Sequence, residues 1–217
     1  MDVLVIGGHG KVALLLAQQL TARGDTVSSV IRNPDHADDV AAAGATPLVL
    51  DIESANPEQL AAVIADHDAT VFSAGAGGGN PERTYAVDRD AAIRCMDAAD
   101  RPGVPRFVLV SYFGAGPEHG VPADNPFHHY AEAKAAADTY LRHSRLDWVI
   151  VGPSALTLDP GTGRIATREQ GATGTSVSRE DVAAVIAAVL ATPSISDRMI
   201  EFDTGDTPID EALQQLP

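Results

Sequence analysis

The sequence predicts an α/β protein, a parallel sheet covered by helices on both faces. Three observations predict it. Short apolar runs rich in β-branched residues alternate with helical patterns from the first residues onward. The strand-like runs are apolar throughout, as strands buried on both faces are. A glycine-rich turn joins the first such run to the first helix.

Val3–Ile6 reads as the first strand. The stretch after it carries Val12, Leu15, Leu16 and Leu20 at helical spacing. It ends at Arg23-Gly24-Asp25, where Gly24 suits the left-handed C-terminal position. Thr26–Ile31 is the second strand, and Asn33-Pro34 opens a short helix ending near Gly44. Pro47–Leu50 is the third strand, Asn56-Pro57-Glu58 starts a helix through about Ile64, and Thr70–Ser73 is the fourth strand. An Ala-rich helix runs from about Glu82 to Ala99, followed by a fifth strand at Arg106–Ser111. After a Gly/Pro/His-rich loop, Tyr130–His143 reads as helix and Asp147–Val151 as the sixth strand. Residues 152–177, punctuated by Gly161, Gly163, Gly171 and Gly174, read as loop-rich. Ser178 then N-caps a helix over Val182–Leu190, with Glu180 and Asp181 in its first turn. Met199–Phe202 and Glu211–Leu216 close the chain. No repeat or linker composition divides it, so 1–217 reads as one domain, with 152–177 and 198–217 as a small substrate-side portion.

Composition limits the partners. With 45% hydrophobic and 21% charged residues, the chain is an ordinary globular protein and not a disordered one. The net charge of −15 discourages nucleic acid and anionic membranes. No apolar run is long enough to span a bilayer, and the first residues read as a strand, not a signal peptide. A single cysteine, Cys95, excludes an internal disulfide, so reduced cytoplasm is the expected compartment. Cys95 itself, on the Ala-rich helix, reads as a buried small hydrophobe. No His/Cys/Asp group has metal-ligand spacing, and no metal is expected.

Ligands on such sheets bind beyond the carboxyl ends of the strands. The first of these ends is Gly7-Gly8-His9-Gly10-Lys11-Val12-Ala13. It reads either as Gly8-x-Gly10-x-x-Ala13 or as Gly7-x-x-Gly10-x-x-Ala13. Both give small residues where a turn must be tight, where backbone must approach a pyrophosphate, and where helix and strand pack closely. The anion is expected on free amides at the positive end of the following helix. This Rossmann-type, doubly wound arrangement points to a nicotinamide dinucleotide.

The end of the second strand selects between cofactors. An NAD site usually places Asp or Glu there, but this chain has Val30-Ile31-Arg32-Asn33. Arg32 can pair with a 2′-phosphate and stack on adenine, so NADP is expected, with NAD as the alternative. Asp51 and Ile52 follow the third strand, where a carboxylate and an amide can meet the adenine edge. Ala74, Gly75 and Ala76 follow the fourth and permit close approach of the cofactor's centre; Gly78 and Gly79 beyond them read only as flexible.

Tyr130 and Lys134 sit at i and i+4, on one helix face. A free phenol titrates near ~10, and an adjacent ammonium favours its ionised form. Tyr130 is thus the candidate proton donor to a carbonyl oxygen during hydride transfer, and Lys134 the residue that tunes it and binds ribose. Lys134 is one of only two lysines, the other being Lys11. His128 and His129 just before are read as substrate contacts, an acid/base pair or plain loop residues.

The order of these motifs resembles that of an atypical, NmrA-like short-chain dehydrogenase/reductase, over essentially the whole chain. Gly7–Ala13, Arg32, Asp51, Ala74-Gly75, Phe107–Ser111, Tyr130/Lys134, Val151–Leu156, Gly161-Thr162-Gly163 and Ser178–Ala183 carry the resemblance. It implies an NAD(P)-binding fold whose active set is a Ser, the Tyr and the Lys, which here selects Ser111. It also implies that the loop after the sixth strand, Pro153, Ser154 and Ala155, contacts the nicotinamide. Three positions depart from that pattern: Ser111-Tyr112-Phe113 stands where a Ser pair or triplet is usual, Gly152 where Arg precedes Pro, and Asp88 near a usual Asn.

The expected function is an NADP-preferring oxidoreductase acting on a small carbonyl, quinone or related acceptor. The alternatives are an NADP(H)-binding redox sensor with little turnover and an NAD(P)-dependent epimerase or dehydratase. The epimerase reading is disfavoured by how little chain follows Val151 to build a sugar-nucleotide domain. A small-molecule substrate is the expected partner, and the sequence leaves the oligomeric state open.

Overall fold

A computed structural model describes residues 1–77, 80–100 and 106–217. The reading of Gly78 and Gly79 lies outside the described residues. The first half runs β1 (Asp2–Ile6), α1 (Lys11–Arg23), β2 (Thr26–Ile31), α2 (Ala37–Ala42), β3 (Thr46–Val49), α3 (Pro57–Ile64) and β4 (Ala69–Phe72). A continuous helix follows, α4 (Pro81–Thr84), π-helical turns over Tyr85–Ala91 and α5 (Ala92–Ala99). Then come β5 (Arg106–Val110), α6 (His128–Arg142), β6 (Asp147–Pro153), β7 (Ala155–Thr157), β8 (Arg164–Thr167) and β9 (Ser176–Ser178). The chain ends with α7 (Arg179–Ala191), β10 (Arg198–Thr204), β11 (Thr207–Pro208) and α8 (Ile209–Gln214). Among the described residues no helix is long and apolar enough to cross a membrane.

Nine strands form one sheet in the order β11-β8-β10-β6-β5-β4-β1-β2-β3. From β3 through β6 and on to β10 every pairing is parallel; Ile6, for example, lies between Val30 and Phe72. Successive strand residues point to opposite faces. Val3, Val5, Val71, Val108 and Val149 therefore pack with α1 and α7 on one side. Leu4, Ile6, Phe72, Phe107, Leu109 and Ile150 pack with α3, α5 and α6 on the other. Both faces are covered, which is the physical reason these runs are apolar throughout. The chain reverses its direction of travel across the sheet between β1 and β4, and a crevice opens at the carboxyl ends there.

Two expectations are corrected. Residues 152–177 are not mainly loop: β6 extends to Pro153, β7 and β9 pair in a second two-stranded sheet, and β8 pairs antiparallel with β10. The main sheet is accordingly mixed at this edge and not wholly parallel. In β8 the inward positions are Ile165 and Thr167, so a polar residue interrupts the apolar alternation by which a strand is read. The Ala-rich helix is also not uniform, since Tyr85–Ala91 widens to π-helical turns.

Two buried carboxylates hold this C-terminal portion in place. Asp181 accepts from the amides of Thr162 and Gly163 and from Ser178 Oγ. Asp203 accepts from the amides of Thr173, Gly174 and Thr175. Burial pushes the Asp203 carboxyl up, but the hydrogen bonds it accepts, those from the Thr173 and Thr175 amides among them, prevail and hold it below the usual carboxylate range.

Candidate active site

Steric necessity explains the first turn. Gly7 has φ of 87°, and a Cβ there would lie 2.6 Å from the Ala74 Cα. On Gly8 it would lie 2.4 Å from Ser29 Cβ. Both amides donate to the Val30 carbonyl, at 3.2 and 2.9 Å, so Gly7 and Gly8 are spent on the fold. Gly10 caps α1 without any side-chain hydrogen bond, leaving the first-turn amides without intrahelical acceptors. The Gly10 amide also donates within the turn, to the Gly7 carbonyl at 2.9 Å, so the first-turn amides that follow it are those of Lys11 and Val12. His9 stacks on His36 with ring centroids 3.6 Å apart and bonds Asp39 at 2.9 Å.

Two cavities meet beside this turn. One, about 700 Å³, runs from Gly10, Lys11 and Val12 past Asp88 to Tyr130 and Lys134. The other, about 330 Å³, runs from Gly10 past Asp51 and Ile52 to Arg32 and Arg83. They share Gly10, Ser73, Ala74 and Gly75, a waist without bulky side chains. Two chambers joined across an uncapped helix N-terminus match the outline of a dinucleotide, with its pyrophosphate at the waist. The residues present therefore fit such a cofactor.

At the small chamber's rim Arg32 pairs with Glu53 at 2.8 Å. Arg83 also reaches Glu53, at 3.2 Å, and donates to the Ala76 carbonyl at 2.8 Å. The tip of β2 does lack an acid, as read from the sequence, but β3 is followed by one that folds back onto Arg32. Asp51 Oδ1 accepts the Glu53 amide at 3.0 Å, which turns the loop and aims Glu53 this way. Glu53 and Arg83 were missed because β3 and α4 meet them only in the fold; the visible signal was an acid two residues past Asp51.

In the large chamber Tyr130 and Lys134 do share one face of α6. Lys134 is buried and donates to the Val110 carbonyl at 2.9 Å, with Asp88 at 3.4 Å and the Tyr130 ring centroid at 5.7 Å. Asp88 Oδ2 accepts the Ala76 amide at 3.0 Å, linking Lys134 to the loop after β4. Burial works against the Lys134 charge, but Tyr130 and Asp88 outweigh it and hold the ammonium above its ordinary pKa. The expected lowering of the Tyr130 pKa is corrected: burial pushes the phenol up, and Lys134 pulls it down without offsetting that. Tyr130 is a protonated phenol at neutral pH.

Ser111 Oγ donates to Asp138 Oδ2 at 2.8 Å, inside the interface of β5 with α6. Burial pushes the Asp138 carboxyl up to about 6, against the Ser111 hydroxyl and the Lys134 charge. Asp138 was missed because nothing local marks it; it lies one helical turn beyond Lys134. Pro153, Ser154 and Ala155 line a further cavity on the other side of Tyr130, with Ser154 Oγ donating to the Phe202 carbonyl at 3.1 Å. His128 and His129 are the first residues of α6, not loop. His129 Nδ1 lies 3.4 Å from the Tyr85 hydroxyl. Cys95 is fully buried, and burial pushes its thiol up to about 12.

Sequence spacing gave no metal-ligand set, yet the fold gathers His119, His128 and Glu132 with ligand atoms within 4.8 Å of one another. Their hydrogen bonds already account for the grouping. His119 Nδ1 accepts the Val121 amide at 3.0 Å, which puts its proton on Nε2, 2.9 Å from Glu132. His128 Nδ1 meets the Val121 carbonyl at 2.9 Å. The three side chains form a clasp on the loop that leads into α6.

The fold, the uncapped glycine turn and the two-chambered crevice define a dinucleotide-binding α/β protein. Residues 7–193 match the NAD(P)H-binding family, and the chain belongs to it. It is 34% identical to UPF0659 protein YMR090W of Saccharomyces cerevisiae, over 100% of this chain and 99% of that one. It is 33% identical to "Uncharacterized sugar epimerase YhfK" of Bacillus subtilis, over 100% of both chains. Among solved structures, the oxidoreductase ylbE from Lactococcus lactis superposes with a TM-score of 0.88 at 29% identity, covering 100% of this chain and 96% of that one.

Proposed function

We propose that this protein is an NADP-preferring oxidoreductase of the NmrA-like short-chain dehydrogenase/reductase type, which reduces a small carbonyl, quinone or related acceptor. The observation that carries the reading is the placement of Tyr130 and Lys134 at one end of a crevice whose other end holds Arg32 and Arg83. When bound, the reduced cofactor supplies a hydride. First-turn amides at Lys11 and Val12 would receive its pyrophosphate, with Gly10 allowing close approach, and Arg32 with Arg83 would face its 2′-phosphate. Asp51 and Ile52 border the adenine, and Pro153–Ala155 border the nicotinamide.

Tyr130 donates its hydroxyl proton to the acceptor oxygen as the acceptor carbon takes the hydride. The phenolate left behind lies against the Lys134 ammonium and regains its proton from water at the open mouth. A phenol whose pKa is raised is protonated at neutral pH, the state a donor starts from, and little of it is the phenolate that the initial oxidation of an epimerase starts from. Lys134 donates one N–H to the Val110 carbonyl and pairs with Asp88 at 3.4 Å as an ion pair, leaving an N–H for a ribose hydroxyl.

A second reading is a redox sensor with little turnover. It is favoured by Ser111, whose hydroxyl is committed to Asp138 and so does not supplement Tyr130 as a donor. Titration with NADPH and NADH, paired with a screen for NADPH oxidation across aldehydes, ketones and quinones, separates the two. Robust turnover of any acceptor is the expected result; tight NADPH binding with no turnover selects the sensor.

A further inference from the structure

We propose that the cavity on the far side of Tyr130 is an acceptor site for a flat, uncharged aromatic ring system. The inference rests on the reductase reading above and adds the chemical class of the acceptor. The cavity holds about 490 Å³, within the range of small-molecule sites. It shares Ser111, Phe127, Tyr130 and Leu156 with the large chamber, so an occupant borders both the candidate proton donor and the nicotinamide end.

Its walls are rings. The Tyr112 and Phe127 centroids lie 5.1 Å apart at 86°, Phe127 and Tyr130 5.1 Å apart at 52°, and Tyr112 and Tyr130 5.7 Å apart at 41°. Phe113 adds a fourth, with the Arg168 guanidinium 4.6 Å from its centroid on one contact and Gly174 close on another. A Cβ on Gly174 would sit 3.0 Å from Phe113, so the absence of a side chain there keeps this wall smooth. Offset and edge-on packing at such spacings is how a further planar ring is received. Phe127 and Leu156 are 42% and 37% exposed and supply apolar surface.

Charge works against the other acceptor class. No lining residue of this cavity is charged, in a chain of net charge −15. The two lining serines are committed, Ser111 to Asp138 and Ser154 to the Phe202 carbonyl. Arg179, at the edge of the large chamber, is held by the carbonyls of Leu156 and Thr157 at 3.0 and 2.8 Å. A sugar diphosphate would bring several charges to walls that hold no cation and offer it, among the described residues, chiefly the phenol hydroxyls of Tyr112 and Tyr130.

The test is equilibrium binding to the full chain loaded with NADP⁺, so that no turnover is needed. Menadione and riboflavin are the uncharged-ring probes, and UDP-glucose is the charged sugar. Calorimetry is expected to show both rings binding and UDP-glucose binding at least about tenfold more weakly. Tyr112→Ala and Phe113→Ala, at rings that line this cavity and not the large chamber, are expected to weaken ring binding about tenfold while leaving NADP⁺ affinity unchanged, with melting curves showing both variants folded. Ring binding absent, or UDP-glucose binding as tightly as the rings, overturns the proposal. So does ring binding unmoved by both substitutions. The wild-type comparison stands if either variant fails to fold. Ring binding without any NADPH oxidation would sink the reductase reading and leave this site in place; turnover of aliphatic carbonyls without ring binding would do the reverse.

Discussion

Arg32 and Glu53 meet at 2.8 Å at one end of the crevice, so the guanidinium proposed to face a cofactor 2′-phosphate is already held by a carboxylate. Glu53 holds Arg83 as well. A 2′-phosphate must displace or share both contacts, whereas ribose hydroxyls can accept the pairing as it stands. Glu53 therefore works against NADP preference, and the two arginines for it. Glu53→Gln is expected to raise the preference for NADPH over NADH about tenfold, and Arg32→Ala to lower it by a similar factor. Ratios of kcat/KM for the two cofactors measure both.

Tyr130→Phe removes the proposed proton donor and little else. Turnover should fall about 10²–10⁴-fold, with NADPH affinity within twofold of wild type. Because burial raises the Tyr130 pKa, the donor stays protonated through neutral pH. Reduction by the wild type should therefore lose rate only on an alkaline limb, above the ordinary phenol value of ~10. That limb should vanish in the variant; an unchanged profile would remove Tyr130 from the chemistry.

Asp138 makes stability depend on pH. Its folded pKa, about 6, lies above the usual carboxylate value, so the folded state binds the proton more tightly than the unfolded chain. Its own contribution to stability is full below about pH 4 and is lost as pH rises through about 6, by about 3 kcal/mol in all. Asp138→Asn keeps an acceptor for Ser111 and should abolish this slope. Denaturant midpoints across that interval, for wild type and variant, are the measurement.

Gly7→Ala tests the turn. At φ of 87°, with Ala74 backbone 2.6 Å from the added carbon, either the turn or the loop after β4 must shift. A loss of about 1–3 kcal/mol is expected, together with at least a tenfold loss of NADPH affinity, since both sides of the waist move. Gly24→Ala, also at positive φ but with nothing within 4 Å, should cost stability alone.

Much of this architecture is legible in local pattern. The core strands are, because burial on both faces makes Val3–Ile6 and Phe107–Val110 apolar without interruption. Gly7 and Gly8 are legible because only glycine satisfies the geometry there, and Tyr130 with Lys134 because helical spacing alone puts them on one face. The edge strands are not: β8 turns Thr167 inward, and β7 and β9 have three residues each. Glu53, Arg83 and Asp138 are hidden for a different reason. Each acquires meaning from a partner twenty or more residues away, and no local pattern encodes such a meeting.

The widened turns over Tyr85–Ala91 make the helix sensitive to length as well as to composition. A regular helix advances about 100° per residue, so closing those turns to ordinary pitch would swing Asp88 around the axis. It would carry the carboxylate off Lys134 and off the Ala76 amide. Removing a single residue such as Arg89, whose own side chain is only partly buried and faces Asp90, would thus disable the crevice floor from a distance. The chain here keeps a count, and the count sets where one buried charge points.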